Sequence, residues 1–415
     1  MNNRRIAPIE IERNLINLRQ LTLEVTDDCN LQCKYCGYGK MYSGYDERKS
    51  TYMTFDQIRP LIDYLAELWR KHRSDSQEPL TYFSFYGGEP LLNMPLIRQV
   101  VDYFRDLGLT RRIVYSMTTN AIILDRHMDY LVKHDVHLLI SLDGNREGHS
   151  YRVDHAGRNS FDRVFHNVKT LQKKYSDYFL RYVNFNTVLH NRNSVGETYE
   201  FIMREFGKKP HISELNNSGI RPDKRAEFER MYRNKQESLH QSENYEKLSD
   251  EMFMDDPSTR DLLLFLHRYS GNVFPSYNDL FSDSRSVSYT PTGTCIPFSK
   301  KMFVTVNGKI IQCERIDHCF AMGQVSECGV NLDFHKIADR FNGWLEKMQK
   351  QCSSCYRKQS CIQCLYYIEA IESKSPICQG FMDAETFSRY SSYCLNHLSL
   401  HPNLYSRLME EVTVE

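Results

Sequence analysis

Three cysteines stand close together near the start of the chain, in the run Cys29-Asn30-Leu31-Gln32-Cys33-Lys34-Tyr35-Cys36. This is CX3CX2C spacing on a loop leaving an apolar, β-branched stretch. Three thiolates so placed can hold three irons of a 4Fe–4S cubane. Such clusters usually take four thiolates, so the fourth iron would stay open to a small-molecule ligand. Three unrelated cysteines are the plain alternative. Zinc is another, although a structural zinc site calls for a fourth ligand nearby. Further along lies Gly87-Gly88-Glu89-Pro90. Taken alone, it reads as a tight turn from strand to helix.

The chain has 13 cysteines. None lies between Cys36 and Cys295, and the remaining ten run from Cys295 to Cys394. Two separate cysteine-using modules explain this better than one. The N-terminal MNNRRIAPIEIERN has no apolar core of a secretory signal. The expected setting is therefore cytoplasmic, where cysteines serve as metal ligands or redox groups rather than disulfides.

The elements that must position these residues alternate. LTLEVT (21–26), YFSFYGG (82–88), RIVYSMTTN (112–120), VHLLISLDG (136–144), RYVNFNTVLH (181–190) and HISELNN (211–217) read as strands. Residues 54–72, 95–107, 124–134, 161–175 and 194–206 have helical periodicity, with Thr54 as an N-cap. Six such repeats imply a parallel sheet with right-handed crossovers, α/β in class, as a partial (β/α)6 barrel. In barrels the chemistry sits on loops at the C-terminal strand ends. Cys29, the Gly87–Pro90 turn, Asn120 and Asp143 all fall there. The predicted organisation is an N-terminal extension (1–20), the barrel (21–217), a helical bridge (218–290), a cysteine-rich domain (291–380) and a C-terminal helix (381–415). KMFVTVNGKIIQC (301–313) reads as a hairpin turning at Asn307-Gly308.

Lys plus Arg and Asp plus Glu are 53 each, so the formal charge is zero. A nucleic-acid partner is not expected from that balance. No apolar run approaches the roughly 18 residues of a membrane span.

With both signatures in view, the sequence resembles the radical SAM superfamily. CX3CX2C after the first strand, with an aromatic residue (Tyr35) before the third cysteine, and Gly87-Gly88-Glu89-Pro90 after the second carry the resemblance. It implies that the open iron binds S-adenosylmethionine through its amino and carboxylate groups, with Tyr35 near the adenine. The glycines would let backbone approach the methionine ammonium, and Glu89 would complement its charge. It also implies ribose or carboxylate contacts from Ser141 and Asp143, a bidentate carboxylate contact from Arg152, and adenine packing by Val188 and Leu189.

The second cysteine group resembles the SPASM domain: Cys295-X12-Gly308-X4-Cys313, then Cys352-X2-Cys355-X5-Cys361-X2-Cys364, then Cys378. The interval before Cys364 is one residue shorter than usual. The resemblance implies two auxiliary 4Fe–4S clusters, three clusters in all. Cys352, Cys355, Cys361 and Cys378 would hold one. Cys295, Cys313 and Cys364 would hold the other, its fourth ligand being Cys319, Cys328 or none. Cys394 reads as a buried free thiol.

Such proteins mostly modify ribosomally made peptides. SELNNSGI, PTGTC and CSSCYRKQSCIQC look most like peptide maturases of the Bacteroidales type. The implied reaction is a thioether or a carbon–carbon or carbon–oxygen cross-link on a precursor peptide, with a flavodoxin or ferredoxin as reductant. With only 20 residues before the first strand, leader binding is expected on another surface or a separate protein. The alternatives are an anaerobic sulfatase-maturating enzyme, in which Glu314 after Cys313 would stand as general base, and a non-catalytic Fe–S scaffold.

Overall fold

The structure is a computed structural model that describes residues 5–256, 259, 261–263, 265–266, 295–358, 361 and 363–411. Two compact units divide the chain. The larger comprises residues 8–245 and 297–334, and the smaller comprises 1–7, 246–296 and 335–415.

The larger unit begins with α1 (Pro8–Ile16), β1 (Gln20–Thr26) and α2 (Phe55–Lys71). Then come β2 (Leu80–Gly87), α3 (Met94–Asp106), β3 (Arg112–Thr119), α4 (Met128–Lys133), β4 (His137–Ser141), α5 (Phe161–Lys174) and α6 (Ser176–Tyr182). β5 (Val183–Leu189), α7 (Val195–Phe206), β6 (His211–Glu214), α8 (Arg225–Met231) and α9 (Lys235–His240) follow. Thr54 caps α2 by accepting from the Gln57 amide, as its residue type leads one to expect. β1 to β6 pair in parallel in sequence order, the predicted α/β class.

Alternation along each strand sorts the two faces. Phe83 and Phe85 of β2 are fully buried, and Phe83 meets Phe104 of α3 edge-on at 4.8 Å. Phe185 of β5 stacks on Phe206 of α7 at 4.7 Å. The other face is polar. Ser84 bonds to Ser116 across β2 and β3 at 2.6 Å and takes a bond from Gln20 at 2.8 Å. Glu24 of β1, buried beside these strands, is pushed up to about 7 by loss of solvent.

The boundary expected at 290/291 is not where the units part. β7 (Met302–Val304) lies parallel to β1, pairing Leu21 with Met302. β8 (Lys309–Ile311), β9 (Gly323–Ser326) and β10 (Gly329–Leu332) extend it antiparallel, so one ten-stranded sheet runs from β10 to β6. The β7–β8 connection turns at Asn307-Gly308 as expected. Gly308 has φ +80°, and a Cβ there would stand 2.1 Å from the Val325 carbonyl oxygen.

The smaller unit contains the long α11 (Phe334–Ser354) after α10 (Tyr245–Glu251). The predicted single C-terminal helix is two, α12 (Ala384–Leu400) and α13 (Asn403–Glu411), parted at Pro402. Most of the predicted bridge between 257 and 290, and the start of the predicted cysteine-rich domain, lie outside the described residues. Among the described residues, no helix is long and apolar enough to cross a membrane.

Candidate functional site

The Cys29–Cys36 loop leaves the C-terminal end of β1 and is held from every side. Asp27 takes the backbone N–H groups of Lys49 and Thr51, at 3.0 and 2.5 Å. Gln32 and Lys34 donate their amides to the carbonyls of Val153 and Tyr151. His155 meets the Cys29 carbonyl at 2.8 Å, and the Leu31 amide points at Cys29 Sγ, 3.5 Å away. Asn120, at the end of β3, lies 3.7 Å from the same sulfur and donates to Asn30 at 2.7 Å.

The three thiols are free and partly buried. Burial pushes Cys29 and Cys33 up to about 12. Thiolates here need a compensating cation, which a metal centre supplies. Among the described residues, no three Cys, His, Asp or Glu side chains converge on a single ion. Three thiols on one loop are a donor set that would suit a multi-iron group.

The glycines of the Gly87–Pro90 turn allow a close backbone approach. Gly87 has φ +139°, and its Cβ would stand 2.2 Å from the Thr26 carbonyl oxygen. A Cβ on Gly88 would stand 1.9 Å from the Asp28 carbonyl oxygen. Both glycines press the turn against the root of the cysteine loop, and the amides of Gly88 and Glu89 bond to Thr26 and Asp28 at 2.8 Å. Pro90 opens a short 3-10 turn, capped by the Glu89 side chain. The Glu89 carboxylate takes Leu91 N and Thr119 Oγ1 on one oxygen and Asn120 N on the other. Burial still pushes it up to about 7. One acceptor position of four remains, which suits a bound cation.

Asp143 lies just beyond β4. Its carboxylate accepts Arg152 Nε (2.9 Å) and Nη2 (3.1 Å), the Tyr35 hydroxyl and the Val188 amide (3.0 Å). All four lone-pair directions are used and the group is fully buried. Burial opposes the charge, but Arg152, with His149 and His190, offsets it and the carboxyl sits below its ordinary value. Arg152 is shared with Cys33 by a further hydrogen bond. Asp143, Arg152 and Tyr35 thus lock one another and the cysteine loop. Leu189 is fully buried in the core and Val188 is half-buried. Ser141 ends β4, also buried.

Glu314 is not a free carboxylate. Lys301 holds it at 2.9 Å. Burial raises it, Lys301 together with a backbone hydrogen bond and Arg315 lowers it, and the result lies below the ordinary value, which makes a weaker base.

In the smaller unit, Cys352 senses Cys361, Cys378 and Cys355 electrostatically and is pushed up to about 12, mainly by burial. Cys378 likewise senses Cys361 and Cys355. Cys364 senses Cys295. Cys313 follows β8 in the larger unit, where it acts on Tyr45. Cys319 and Cys328 are exposed, and Cys394 is buried in α12, as its apolar helix setting implies. Sequence reading did not single out Asp28, Tyr38, Arg48 or His190. Each sits one to three residues beyond a strand or on a long loop, with no spacing motif to mark it.

Residues 23–202 match the model of the radical SAM superfamily. The chain is 27% identical over 221 residues to the radical SAM cyclopropyl synthase TigE of Paramaledivibacter caminithermalis, covering 51% of this chain and 43% of that protein. It is 27% identical over 195 residues to a cysteine-type anaerobic sulfatase-maturating enzyme of Clostridium novyi, covering 46% of this chain and 49% of the relative. The chain thus spans less than half the length of each of these relatives. The solved structure of native anSMEcpe with bound AdoMet superposes with a TM-score of 0.59 at 16% identity, over 94% of this chain and 99% of that one. The form with AdoMet and the Kp18Cys peptide gives 0.58 at 17% identity. The cysteine loop, the glycine turn braced against it and these likenesses lead to one conclusion: the chain carries a radical SAM domain, spanning residues 23–202.

Proposed function

We propose that the protein is a radical SAM peptide maturase that joins two positions of a ribosomally made peptide. The observation that carries the reading is the Cys29–Cys36 loop, three free thiols held beside a buried carboxylate with one acceptor position left. Cys29, Cys33 and Cys36 would hold a 4Fe–4S cluster which, with S-adenosylmethionine, supplies reductive cleavage to a 5′-deoxyadenosyl radical able to take an unactivated hydrogen. Glu89 would receive the methionine ammonium, and the bound charge would offset its burial. Asn120 would orient Cys29. Asp143 and Arg152 would fix Tyr35 and Cys33. Cys352, Cys355, Cys361 and Cys378 would hold a second cluster. A flavodoxin- or ferredoxin-type reductant completes the set.

The peptide assignment draws support from a structural neighbour solved with a peptide. A second reading, formylglycine formation, is favoured by the anSMEcpe-like fold. The ion pair of Glu314 with Lys301 weighs against it, because it ties up the carboxylate that would serve as base.

The test is anaerobic incubation of the iron-loaded protein with S-adenosylmethionine, dithionite and short cysteine-containing peptides, read by mass spectrometry. A cross-link appears as loss of two hydrogens with the sulfur retained. Loss of the sulfur would favour formylglycine formation. Cleavage of S-adenosylmethionine without change in any peptide tried would count against a peptide substrate.

A further inference from the structure

Between the cysteine loop and the β7–β8 hairpin lies a group of side chains that the proposed chemistry does not use. Arg48 lies over the Tyr38 ring, its guanidinium carbon 4.5 Å from the centroid. Arg48 Nε and Nη2 are shielded from solvent and have no hydrogen-bond partner. The Tyr38 hydroxyl is in the same condition. Tyr38 packs edge-on against Tyr45 at 5.0 Å and at a tilt against Tyr86 at 6.3 Å. Tyr45 in turn meets His318 at 5.3 Å. Tyr45 senses both Cys36 and Cys313.

Arg48 is not a loose surface side chain. On one side of it Asp46 is tied to Lys309 at 2.6 Å, Asn307 at 3.3 Å and His318. On the other, the Lys49 and Thr51 amides are bound by Asp27. Glu24 is close enough to act on Arg48 electrostatically, yet no ion pair joins them among the described residues. Glu24 accepts instead from the Val306 amide at 2.9 Å. The neighbouring cations are already matched, Lys309 by Asp46 and Lys301 by Glu314. Shielded guanidinium donors without an acceptor are costly, and so is a shielded hydroxyl in that state. Together they ask for an acceptor-rich group. One planar fork with a hydroxyl beside it matches a carboxylate, whereas a phosphate draws several cations.

We propose that Arg48 and Tyr38 form a carboxylate subsite that anchors the substrate peptide beside the cysteine loop. The proposal rests on the peptide reading above. The carboxylate has two sources, an acidic side chain or the end of the peptide chain, and three probes separate them. These are acetyl-Gly-Asp-Gly-amide, acetyl-Gly-Asn-Gly-amide and acetyl-Gly-Asn-Gly with a free C-terminal carboxylate. Binding to the iron-loaded protein, with S-adenosylmethionine present, is followed by ligand-observed NMR.

One carboxylate probe should bind at least about tenfold more tightly than the neutral one. The aspartate probe winning means a side chain, and the free-acid probe winning means a chain end. Arg48→Gln should erase the preference. Arg48→Lys, which keeps the charge and loses the fork, should restore part of it. Tyr38→Phe should weaken it less than Arg48→Gln does. Iron content and circular dichroism show whether each variant folds. Equal binding of all three probes to the unmodified protein would overturn the proposal, as would a carboxylate preference that survives Arg48→Gln. Loss of S-adenosylmethionine affinity in Arg48→Gln with the preference intact would overturn it too, assigning Arg48 to the cofactor's carboxylate. A protein that prefers carboxylate probes but never cleaves S-adenosylmethionine would sink the radical reading and leave the subsite standing.

Discussion

The Cys29–Cys36 loop and the cysteines from Cys295 to Cys378 offer the same ligand type in different frames. The first group spans one loop, and neighbouring strands and turns bond its backbone directly at Cys29, Gln32 and Lys34. The second is spread over two units. Cys352 lies in the last turn of α11 and Cys355 just beyond it, whereas Cys313 follows β8 in the larger unit. A preorganised loop holds ligand geometry before metal arrives, and a dispersed set depends more on the metal for its order.

That contrast can be broken at several points. The largest effect is expected from replacing Cys29, Cys33 and Cys36 together by Ala. Iron analysis should show loss of about four irons with the rest retained, because the two groups are separate. Loss of all iron would mean that they are not independent. Asp143→Asn comes next. It leaves the buried Arg152 short of its counter-charge, a change worth about 3–5 kcal/mol, and should lower the unfolding temperature markedly. Unchanged thermal unfolding would show that the pair does not hold the loop.

Glu89→Gln keeps the shape and removes the charge. A lost charge-assisted bond of about 1.5–3 kcal/mol should weaken S-adenosylmethionine binding roughly tenfold to a hundredfold, read by equilibrium dialysis. Unaltered affinity would place the ammonium elsewhere. The smallest effect is expected from replacing Cys319 and Cys328 together by Ser. Both are exposed, and iron content should stay the same. Loss of about four irons would mean that one of them closes a cluster.

The parallel sheet was legible because β-branched and aromatic runs alternate with amphipathic ones, as in LTLEVT before the Thr54-capped helix. α6 was not. Its residues SDYFLRY run straight into the strand VNFNTVL, and aromatic strand formers mask one turn of helix. The placement of residues 297–334 was also hidden, since pairing Leu21 with Met302 is a long-range contact that no local pattern encodes. The cysteine loop could be read from spacing alone. The Asp143–Arg152 pair could not, because it needs the Gly148–Tyr151 turn to fold back over β4. Nor could the bracing role of Gly87 and Gly88, which depends on how closely β2 approaches the end of β1.

The central claim is that the Cys29–Cys36 loop holds the cluster on which S-adenosylmethionine is cleaved. The direct measurement is chromatographic assay of 5′-deoxyadenosine after anaerobic iron loading, with dithionite and S-adenosylmethionine, in the unmodified protein and in the Cys29→Ala, Cys33→Ala, Cys36→Ala triple variant. The unmodified protein should form 5′-deoxyadenosine and the variant none. Equal formation in both, or none in the fully iron-loaded unmodified protein, would contradict the claim.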